Sequence, residues 1–177
     1  EDTANFATFN PLFKGVNASP TMQAANLEMN APSTATWFNG VSSIFANTGK
    51  WYAEYTLVSG TLTSVMISIA NSDYRADNFP GGTGANGYSY VSNTGNKFYN
   101  NTGAGVAYGA TFTTSDVIGV AMDLDAATLT YYKNGVSQGT AFTGIDTTKY
   151  WTFVVASGNS SVIAFNAGQR PFAYTPP

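Results

Sequence analysis

SDVIGVAMDLDAATLTYYKNGVSQGTAF, the stretch from Ser115 to Phe142, decides the fold of this chain. From Val117 to Leu124, large apolar residues alternate with small or acidic ones, which is the period of two that predicts a strand with one apolar face. The pattern resumes at Leu129, and Asn134-Gly135 follows. This pair is the best suited to positive φ at both central positions of a type I′ turn. The stretch therefore predicts a meander in the order strand, turn, strand, hairpin, strand.

The same stretch resembles the signature of the SPRY domain family. The similarity extends to GKWYAEY at Gly49–Tyr55 and to GYSY at Gly87–Tyr90. The opening segment Asn5–Leu12 and the closing segment Phe165–Tyr174 are similar to the version of this domain found in tailed-phage structural proteins. The resemblance implies an all-β fold, an antiparallel two-sheet β-sandwich of the concanavalin-like jelly-roll type. It also implies a scaffold whose loops bind unrelated partners.

The composition favours an all-β domain independently of that resemblance. Hydrophobic residues make up 44% of the 177 residues, only 10% are charged, and 18 are glycine, which suits a sheet-rich protein. The net charge of −3 gives no basic surface for nucleic acid. No apolar run approaches the roughly 20 residues of a membrane-spanning helix. We expect one domain over residues 1–177, and we interpret it as a fragment or a processed piece of a longer chain because it begins at Glu1 and ends on Pro176-Pro177.

The chain contains neither cysteine nor histidine. The first absence removes disulfides, thiol catalysis and zinc thiolates, and the second removes the commonest general base and metal ligand. We therefore expect no catalytic residue, no cofactor and no metal, since Asp73 and Asp77 without a spacing motif are weak evidence for calcium. A cysteine-free β domain rich in Asn, Thr and Gly is typical of a part exposed outside cells or on a virion.

Further strands are predicted on both sides of the meander. Lys50 to Val58 alternates with aromatic residues on both faces, and Glu54 among them is interpreted as a structural carboxylate bonded to a Tyr hydroxyl or a backbone amide. Val65 to Ala70 is an apolar run that predicts burial on both faces of its sheet. No helix is expected. Shorter strands are expected at Asn5–Leu12, Tyr88–Val91, Tyr150–Ala156 and Val162–Phe165, and a short strand or a turn is expected at Val106–Phe112.

The long connection from Asn71 to Gly87 is the first candidate for a binding site, because connections of this length without a periodic pattern are commonly functional. It contains aromatic and Arg side chains of the types enriched at binding hot spots. An equally weighted alternative is a structural connection in which Phe79 lies on the core and Arg75 pairs with Asp73 or Asp77. In order of preference, the candidate ligand-binding residues are Tyr74, Arg75, Asn78 and Phe79, then Tyr99 and Asn100 in the loop from Asn93 to Gly105, then Trp37.

Three strings that look like catalytic motifs are rejected on their context. GxGxxG at Gly82–Gly87 follows a proline and precedes a strand, so it lacks the helix N-terminus that holds a pyrophosphate. GxSxG at Gly135–Gly139 lies in a hairpin arm, and the chain has no histidine to activate its serine. The spacing of Asp123 and Asp125 does not indicate the carboxylate pair of a glycosidase. Asp125 is interpreted as the residue that caps the turn before Leu129.

Three functions follow from these observations. The favoured one is a non-catalytic binding module of a bacteriophage virion protein, in a tail fibre, spike or appendage, whose loops recognise a host-surface glycan or protein. The alternative is a structural or decoration domain of the capsid or tail that contacts other virion proteins, and a glycoside hydrolase is the least favoured. A homo-oligomer such as a trimer, formed through the parent chain, is compatible with either of the first two.

Location and partners follow from the same hypothesis. We expect the domain on the surface of the virion, with no nucleic-acid partner and no insertion into a membrane. The aromatic and apolar residues near the two termini are expected to lie side by side at an edge of the sandwich. These residues are Phe6, Phe9, Leu12 and Phe13 at one end of the chain and Phe172 and Tyr174 at the other.

Overall fold

The protein is a sandwich of two antiparallel β-sheets. A computed structural model of the chain describes residues 6–13, 20–32, 36–60, 65–82, 84 and 86–177. One sheet has seven strands in the order β1-β2-β13-β4-β9-β10-β11, and the other has six in the order β3-β12-β5-β6-β7-β8. The described residues contain no helix. The predicted all-β two-sheet jelly roll is therefore confirmed.

The strands that the two sheets contain are β1 (Thr21–Gln23), β2 (Glu28–Ala31), β3 (Phe38–Val41), β4 (Lys50–Gly60), β5 (Val65–Asn71), β6 (Gly87–Val91), β7 (Asn96–Tyr99), β8 (Val106–Ala107), β9 (Val117–Asp123), β10 (Thr128–Lys133), β11 (Val136–Thr143), β12 (Trp151–Ser157) and β13 (Ser161–Asn166).

The meander predicted from the sequence is formed by β9, β10 and β11. Asn134 and Gly135 both have positive φ, of 50° and 78°, as a type I′ turn requires. Ile118, Val120 and Met122 of β9 point into the core and are almost completely buried. Because the chain reverses tightly twice, these three strands form one edge of the seven-stranded sheet.

The turn between β9 and β10 differs from the prediction in its capping residue. Oδ1 of Asp123 accepts a hydrogen bond of 2.9 Å from the backbone N–H of Ala126, so Asp123 caps the turn. Oδ1 of Asp125 instead accepts a bond of 2.7 Å from the N–H of Gly49. The sequence could not distinguish these roles, because only the pairing of β4 with β9 brings Gly49 next to the turn.

The core lies between the sheets, and one sheet is also covered on its outer side. Ala53, Tyr55 and Leu57 of β4 point inward and are fully buried, which confirms the alternation predicted for this strand. All residues of β5 and β12 are buried. These two strands lie in the middle of the six-stranded sheet, so burial of both faces, predicted from the apolar run of β5, is confirmed.

Two predictions of local structure are wrong. In the segment Asn5–Leu12, the described residues 6–12 form an isolated bridge between Phe9 and Ser42 rather than a strand, and Pro11 then interrupts the backbone donors. Asn96–Tyr99, assigned to a loop, forms strand β7. Val106–Phe112, expected to be a short strand or a turn, contains the short strand β8 at Val106–Ala107. The missed strand β7 lies near the edge of the six-stranded sheet, where short pairing leaves a weak sequence pattern.

Of the terminal residues expected to lie side by side, Phe6 and Phe172 do so, whereas Phe9 is buried in the core and Phe13 packs on the outer face of the six-stranded sheet. Phe6 and Phe172 both lie against Gly168, because a Cβ added to Gly168 would be 3.2 Å from Cε1 of Phe6 and 3.8 Å from Cζ of Phe172. Tyr174 continues further, to the β10–β11 turn at Gly135. The last residues of the chain therefore cross the outside of the seven-stranded sheet.

Candidate functional site

The long connection between β5 and β6 is folded onto the outer face of the six-stranded sheet. Tyr74 and Ala76 are 7% and 1% exposed, and they pack with the outward residues Val41, Ala70 and Val154. The connection is therefore a cover for the sheet rather than a free loop. This explains why β5 carries apolar residues on both of its faces.

Hydrogen bonds to buried polar atoms hold this cover in one position. The Tyr74 hydroxyl lies 2.7 Å from Oδ1 of Asn39 and 2.6 Å from the carbonyl oxygen of Asn78, so its single proton is shared between two acceptors. Nδ2 of Asn39 donates a bond of 3.1 Å to the same carbonyl of Asn78. Burial, reinforced by the charge of Asp77, raises the pKa of Tyr74 well above its ordinary value, so this phenol stays protonated as a donor.

Short-range bonds stabilise the two ends of the cover. Oδ1 of Asn71 accepts a bond of 3.0 Å from the N–H of Asp73, and Oδ1 of Asn78 accepts one of 2.9 Å from the N–H of Phe79. The hydroxyl of Ser89 in β6 donates to the carbonyl oxygen of Pro80. The bond between Asn71 and Asp73 is of the Asx-turn type that suits Asn-rich connections.

Three aromatic rings form a cluster at the edge of the cover, and we call Trp37, Phe79 and Phe98 the outer aromatic cluster. The ring of Phe79 lies between the other two, with its centroid 4.7 Å from Trp37 and 5.5 Å from Phe98. All three rings are partly exposed. They rest on a row of buried residues from three neighbouring strands, Met66, Val91 and Ala156.

Phe98 and Tyr99 are adjacent in β7 and therefore point to opposite faces of the sheet. Phe98 joins the outer aromatic cluster, whereas Tyr99 stacks on Tyr88 with a centroid distance of 5.5 Å and an interplanar angle of 12°. Tyr99 is 42% exposed. Beside it, Nζ of Lys97 lies 5.1 Å from the ring centroid of Phe142. The rings of Tyr88, Tyr99 and Phe142 therefore lie at the open edge between the two sheets.

The predicted ligand-binding residues are thus only partly brought together. Trp37 and Phe79 touch, Asn78 precedes Phe79, and Arg75 is exposed on the same connection. The expectation that Tyr74 contacts a ligand is corrected, because its ring is buried and its hydroxyl is used within the protein. Asp73 pairs with Lys149 at 2.8 Å and not with Arg75, which corrects that part of the alternative interpretation.

Tyr99 and Asn100 lie apart from the other candidates. Tyr99 faces the open edge between the sheets, and Asn100 is exposed at the end of β7 with φ of 49°. Phe98, which the sequence reasoning passed over, takes the place beside Phe79 instead. The alternation of β7 would have indicated it, had residues 96–99 been recognised as a strand.

The fold and this arrangement can be compared with known proteins. The family profile described as "SPRY domain" matches residues 50–170. The chain belongs to the SPRY domain family. Domains of this family are protein-interaction modules and are generally non-enzymatic.

Curated relatives of this SPRY domain are animal proteins. Human Ran-binding protein 9 is 34% identical over 144 residues, which are 81% of this chain and 19% of that protein. The Ran-binding proteins 9/10 homolog of Drosophila melanogaster is 35% identical over 127 residues, 71% of this chain and 13% of that protein. The chain thus spans less than a quarter of these relatives, and nothing in the comparisons indicates a phage origin.

Solved structures show the same fold for this SPRY domain. The crystal structure of the SPRY domain of human HERC1 superposes with a TM-score of 0.75 at 17% identity, covering 92% of this chain and 99% of that one. A crystal structure of a human SPRY domain gives a TM-score of 0.69 at 14% identity, with 85% and 97% covered. At such identities the likeness concerns the fold alone.

The carboxylate of Asp123 has structural partners in this SPRY domain. Asp123, considered for glycoside hydrolysis, lies 3.1 Å from Nζ of Lys50. The hydrogen bond from the N–H of Ala126, followed by that from Lys50, lowers the pKa of Asp123 below its ordinary value, so it is unsuited to act as a general acid. No group of three or more metal-binding side chains occurs in the part of the chain that the structure describes. Within that same part, no helix has the length and apolarity needed to cross a membrane.

Proposed function

We propose that this SPRY domain is a non-catalytic module that binds a protein partner through the outer aromatic cluster and the connection between β5 and β6. The observation that carries the proposal is the placement of Trp37 and Phe79, whose rings touch at 4.7 Å and remain partly exposed. Aromatic side chains of this kind supply much contact area at a low cost in conformational entropy.

The surface is organised before any partner binds. The Tyr74 hydroxyl and Nδ2 of Asn39 both bond the carbonyl oxygen of Asn78, which lies directly before Phe79. A preorganised surface loses little conformational freedom when it binds. The network of Tyr74 therefore acts as a support for the contact residues rather than as a contact itself.

The chemistry of the surface describes the partner that fits it. Partly exposed rings accept an apolar side chain, and the exposed Arg75 on the same connection favours a carboxylate or a carbonyl oxygen. We therefore infer that the partner presents a short segment with an apolar residue close to an acidic one. An anionic segment is compatible with this site although the whole domain carries a net charge of −3.

Selection of peptides from a displayed random library against the immobilised domain tests the proposal. Affinities of the selected peptides are then measured for the wild type and for Trp37→Ala, Arg75→Glu and Val136→Ala. Val136 is 66% exposed and belongs to the seven-stranded sheet, so it is the matched control. We expect Trp37→Ala and Arg75→Glu each to weaken binding at least tenfold, with no change for Val136→Ala.

Two outcomes would contradict the proposal. One is selected peptides whose affinity is the same for all four proteins. The other is a selection without any binding peptide, together with binding of a glycan on an array. The Arg75→Glu change is at an exposed position, so the variant should fold like the wild type. A loss of affinity in this variant therefore reports on the binding site.

A second candidate function is the binding of a glycan at the loop from Asn93 to Gly105, one of the two loops for which a glycan was considered. Tyr99 offers an exposed ring that is stacked on Tyr88, and Asn100 and Thr102 follow it with polar side chains. A pyranose packs on such a ring while amides bond its hydroxyls. Binding to a glycan array that Tyr99→Ala abolishes would support this second candidate.

The location on a virion, whether in a tail appendage that recognises a host or as a decoration domain, remains a prediction. It rests on the resemblance of the terminal segments to phage structural proteins, and the animal relatives give it no support. The genes that surround the coding sequence test it directly. Neighbours encoding capsid, portal or tail proteins are expected, and their absence would refute this location.

A further inference from the structure

The last residues of the chain form a strap on the opposite side of the sandwich from the outer aromatic cluster. We call residues 171–177 the C-terminal strap. The carbonyl oxygen of Pro171 accepts a bond of 3.1 Å from Nδ2 of Asn166 at the end of β13. The ring of Phe172 meets that of Tyr52 edge to face at 5.0 Å. The strap thus crosses the outer face of the seven-stranded sheet from β13 over β4.

A buried carboxylate holds the backbone of the strap. Glu54 is only 3% exposed, and its Oε2 accepts a bond of 2.8 Å from the N–H of Ala173. Its Oε1 accepts one of 3.0 Å from the N–H of Tyr174 and lies 3.3 Å from the hydroxyl of Tyr52. A carboxylate that accepts hydrogen bonds from two consecutive backbone N–H groups is a strong anchor for a peptide that bends at these two residues, and it binds the backbone rather than a particular side chain.

Two glycines of the sheet leave room for aromatic rings on its outer face. A Cβ on Gly119 would stand 2.3 Å from the hydroxyl oxygen of Tyr52, and a Cβ on Gly135 would stand 2.6 Å from Cδ1 of Tyr174. Without side chains at these positions, Tyr52 lies across β9 and Tyr174 lies on the β10–β11 turn. The outer face therefore has places for two aromatic side chains on either side of the Glu54 anchor.

The strap lies largely at the surface of the protein. It is not a strand, and apart from Phe172 its residues are exposed. Its last two prolines reach a groove that continues along the sheet beside Tyr52, Thr130 and Tyr132. Another chain could supply most of these contacts, because they require a backbone that bends at the two anchored N–H groups and two aromatic rings.

We propose that this outer face is a second peptide-binding surface, formed by Tyr52, Glu54, Gly119 and Gly135. Its ligand is a segment of a partner protein that bends as the strap does and has the pattern proline, aromatic, any residue, aromatic. The chain's own strap, with Pro171, Phe172 and Tyr174, is the intramolecular occupant of the surface and competes with that partner. This surface is independent of the protein-binding site proposed on the six-stranded sheet.

The test uses the full chain and a labelled synthetic peptide of residues 168–177, GQRPFAYTPP. In the wild type the tethered strap is present at an effective concentration on the order of millimolar, so the added peptide should bind weakly. The double variant Phe172→Ala, Tyr174→Ala removes the rings of the strap, and we expect it to bind the peptide at least tenfold more tightly. Adding Glu54→Gln should reverse this gain, and the peptide GQRPAAATPP should not bind either protein.

Amide chemical shifts provide a readout that does not depend on the folding of the Glu54 variant. On addition of the peptide to the Phe172→Ala, Tyr174→Ala protein, we expect shifts at Glu54, Gly119 and Gly135 and none at Trp37 or Phe79. The proposal is overturned if the folded double variant does not bind the peptide. Binding that shifts residues of the other sheet, or that is unchanged in a folded Glu54→Gln protein, also overturns it.

Discussion

The Tyr74 hydroxyl lies 2.7 Å from Oδ1 of Asn39 and joins the connection between β5 and β6 to the edge strand β3. The two residues are 35 positions apart in the sequence, and both are buried. Because Asn78 shares this network through its carbonyl oxygen, the position of Phe79 depends on a bond that involves no surface residue. The proposed binding surface is thus supported from within the protein.

Tyr74→Phe is expected to lower the free energy of unfolding by about 1–2 kcal/mol, because Asn39 loses the partner of a buried polar atom. Hydrogen exchange of the amides of residues 74–79 should become faster, since the connection is less firmly held. Urea unfolding and hydrogen exchange measure the two effects. Tyr150→Phe is the control, because Tyr150 is 53% exposed, and it should change stability by less than about 0.5 kcal/mol. Equal stabilities of the two variants would refute the role of Tyr74.

Phe98→Ala and Tyr99→Ala should have different effects although the residues are neighbours. Phe98→Ala removes a ring that packs on Phe79 at 5.5 Å, and we expect a loss of about 2 kcal/mol. Tyr99→Ala removes an exposed ring that stacks on Tyr88, and about 1 kcal/mol is expected. Only Phe98→Ala should also increase the hydrogen exchange of residues 78–82. An equal response of that segment to both changes would contradict the opposite orientation of the two rings.

Acid should destabilise the protein partly through Asp116. Burial raises the pKa of this carboxyl, but bonds from the N–H of Thr113, from Asn134 and from Lys133 outweigh it, so that the pKa lies below the ordinary 3.8. A carboxyl whose pKa is lower in the folded than in the unfolded protein stabilises the fold at pH values above its unfolded-state pKa. This stabilisation is lost as the pH falls through its folded-state pKa. Unfolding free energies of the wild type should therefore decline as the pH falls below 3.8. In Asp116→Asn the decline should be shallower, and identical slopes would exclude this contribution.

High pH should destabilise the protein partly through Tyr108, which lies at the open edge between the sheets. Its hydroxyl donates a bond of 2.5 Å to the carbonyl oxygen of Gly139 in β11, and burial above all raises its pKa from 10.0 to about 12. A group whose pKa is higher in the folded than in the unfolded protein contributes its full stabilisation at pH values below its unfolded-state pKa. This stabilisation is lost as the pH rises through its folded-state pKa. Stability should therefore fall between pH 10.0 and about 12, and less steeply in Tyr108→Phe. A variant that loses stability as steeply as the wild type would refute this assignment.

The features predicted correctly from the sequence are those that neighbouring residues determine. Asn134-Gly135 forms the expected turn because positive φ at two successive positions is a local preference. The continuous apolar run of β5 predicted a strand covered on both sides, and the structure shows that the connection after β5 supplies the outer cover. Glu54 is the structural carboxylate that the sequence suggested, although its partners Ala173 and Tyr174 could not be foreseen.

The errors at the candidate site have a common physical cause. Tyr74 is a residue of the type enriched at binding hot spots, but its burial depends on Asn39, Val41 and Val154, which are distant from it in sequence. Phe98 and Tyr99 were assigned to a loop, where neighbouring side chains can share a surface. In a strand they cannot, because successive side chains point to opposite faces.

The sequence by itself determined the class of fold, the meander and the absence of cysteine and histidine chemistry, because periodicity, turn preference and composition are local or global properties of the chain. Only the tertiary structure decided which rings form a surface, that Asp123 rather than Asp125 caps its turn, and that residues 171–177 lie on Glu54. Those relationships depend on the order and register of strands that are far apart in sequence. The free energy that selects them comes from packing and hydrogen bonding between the strands, and no short stretch of the chain carries that information.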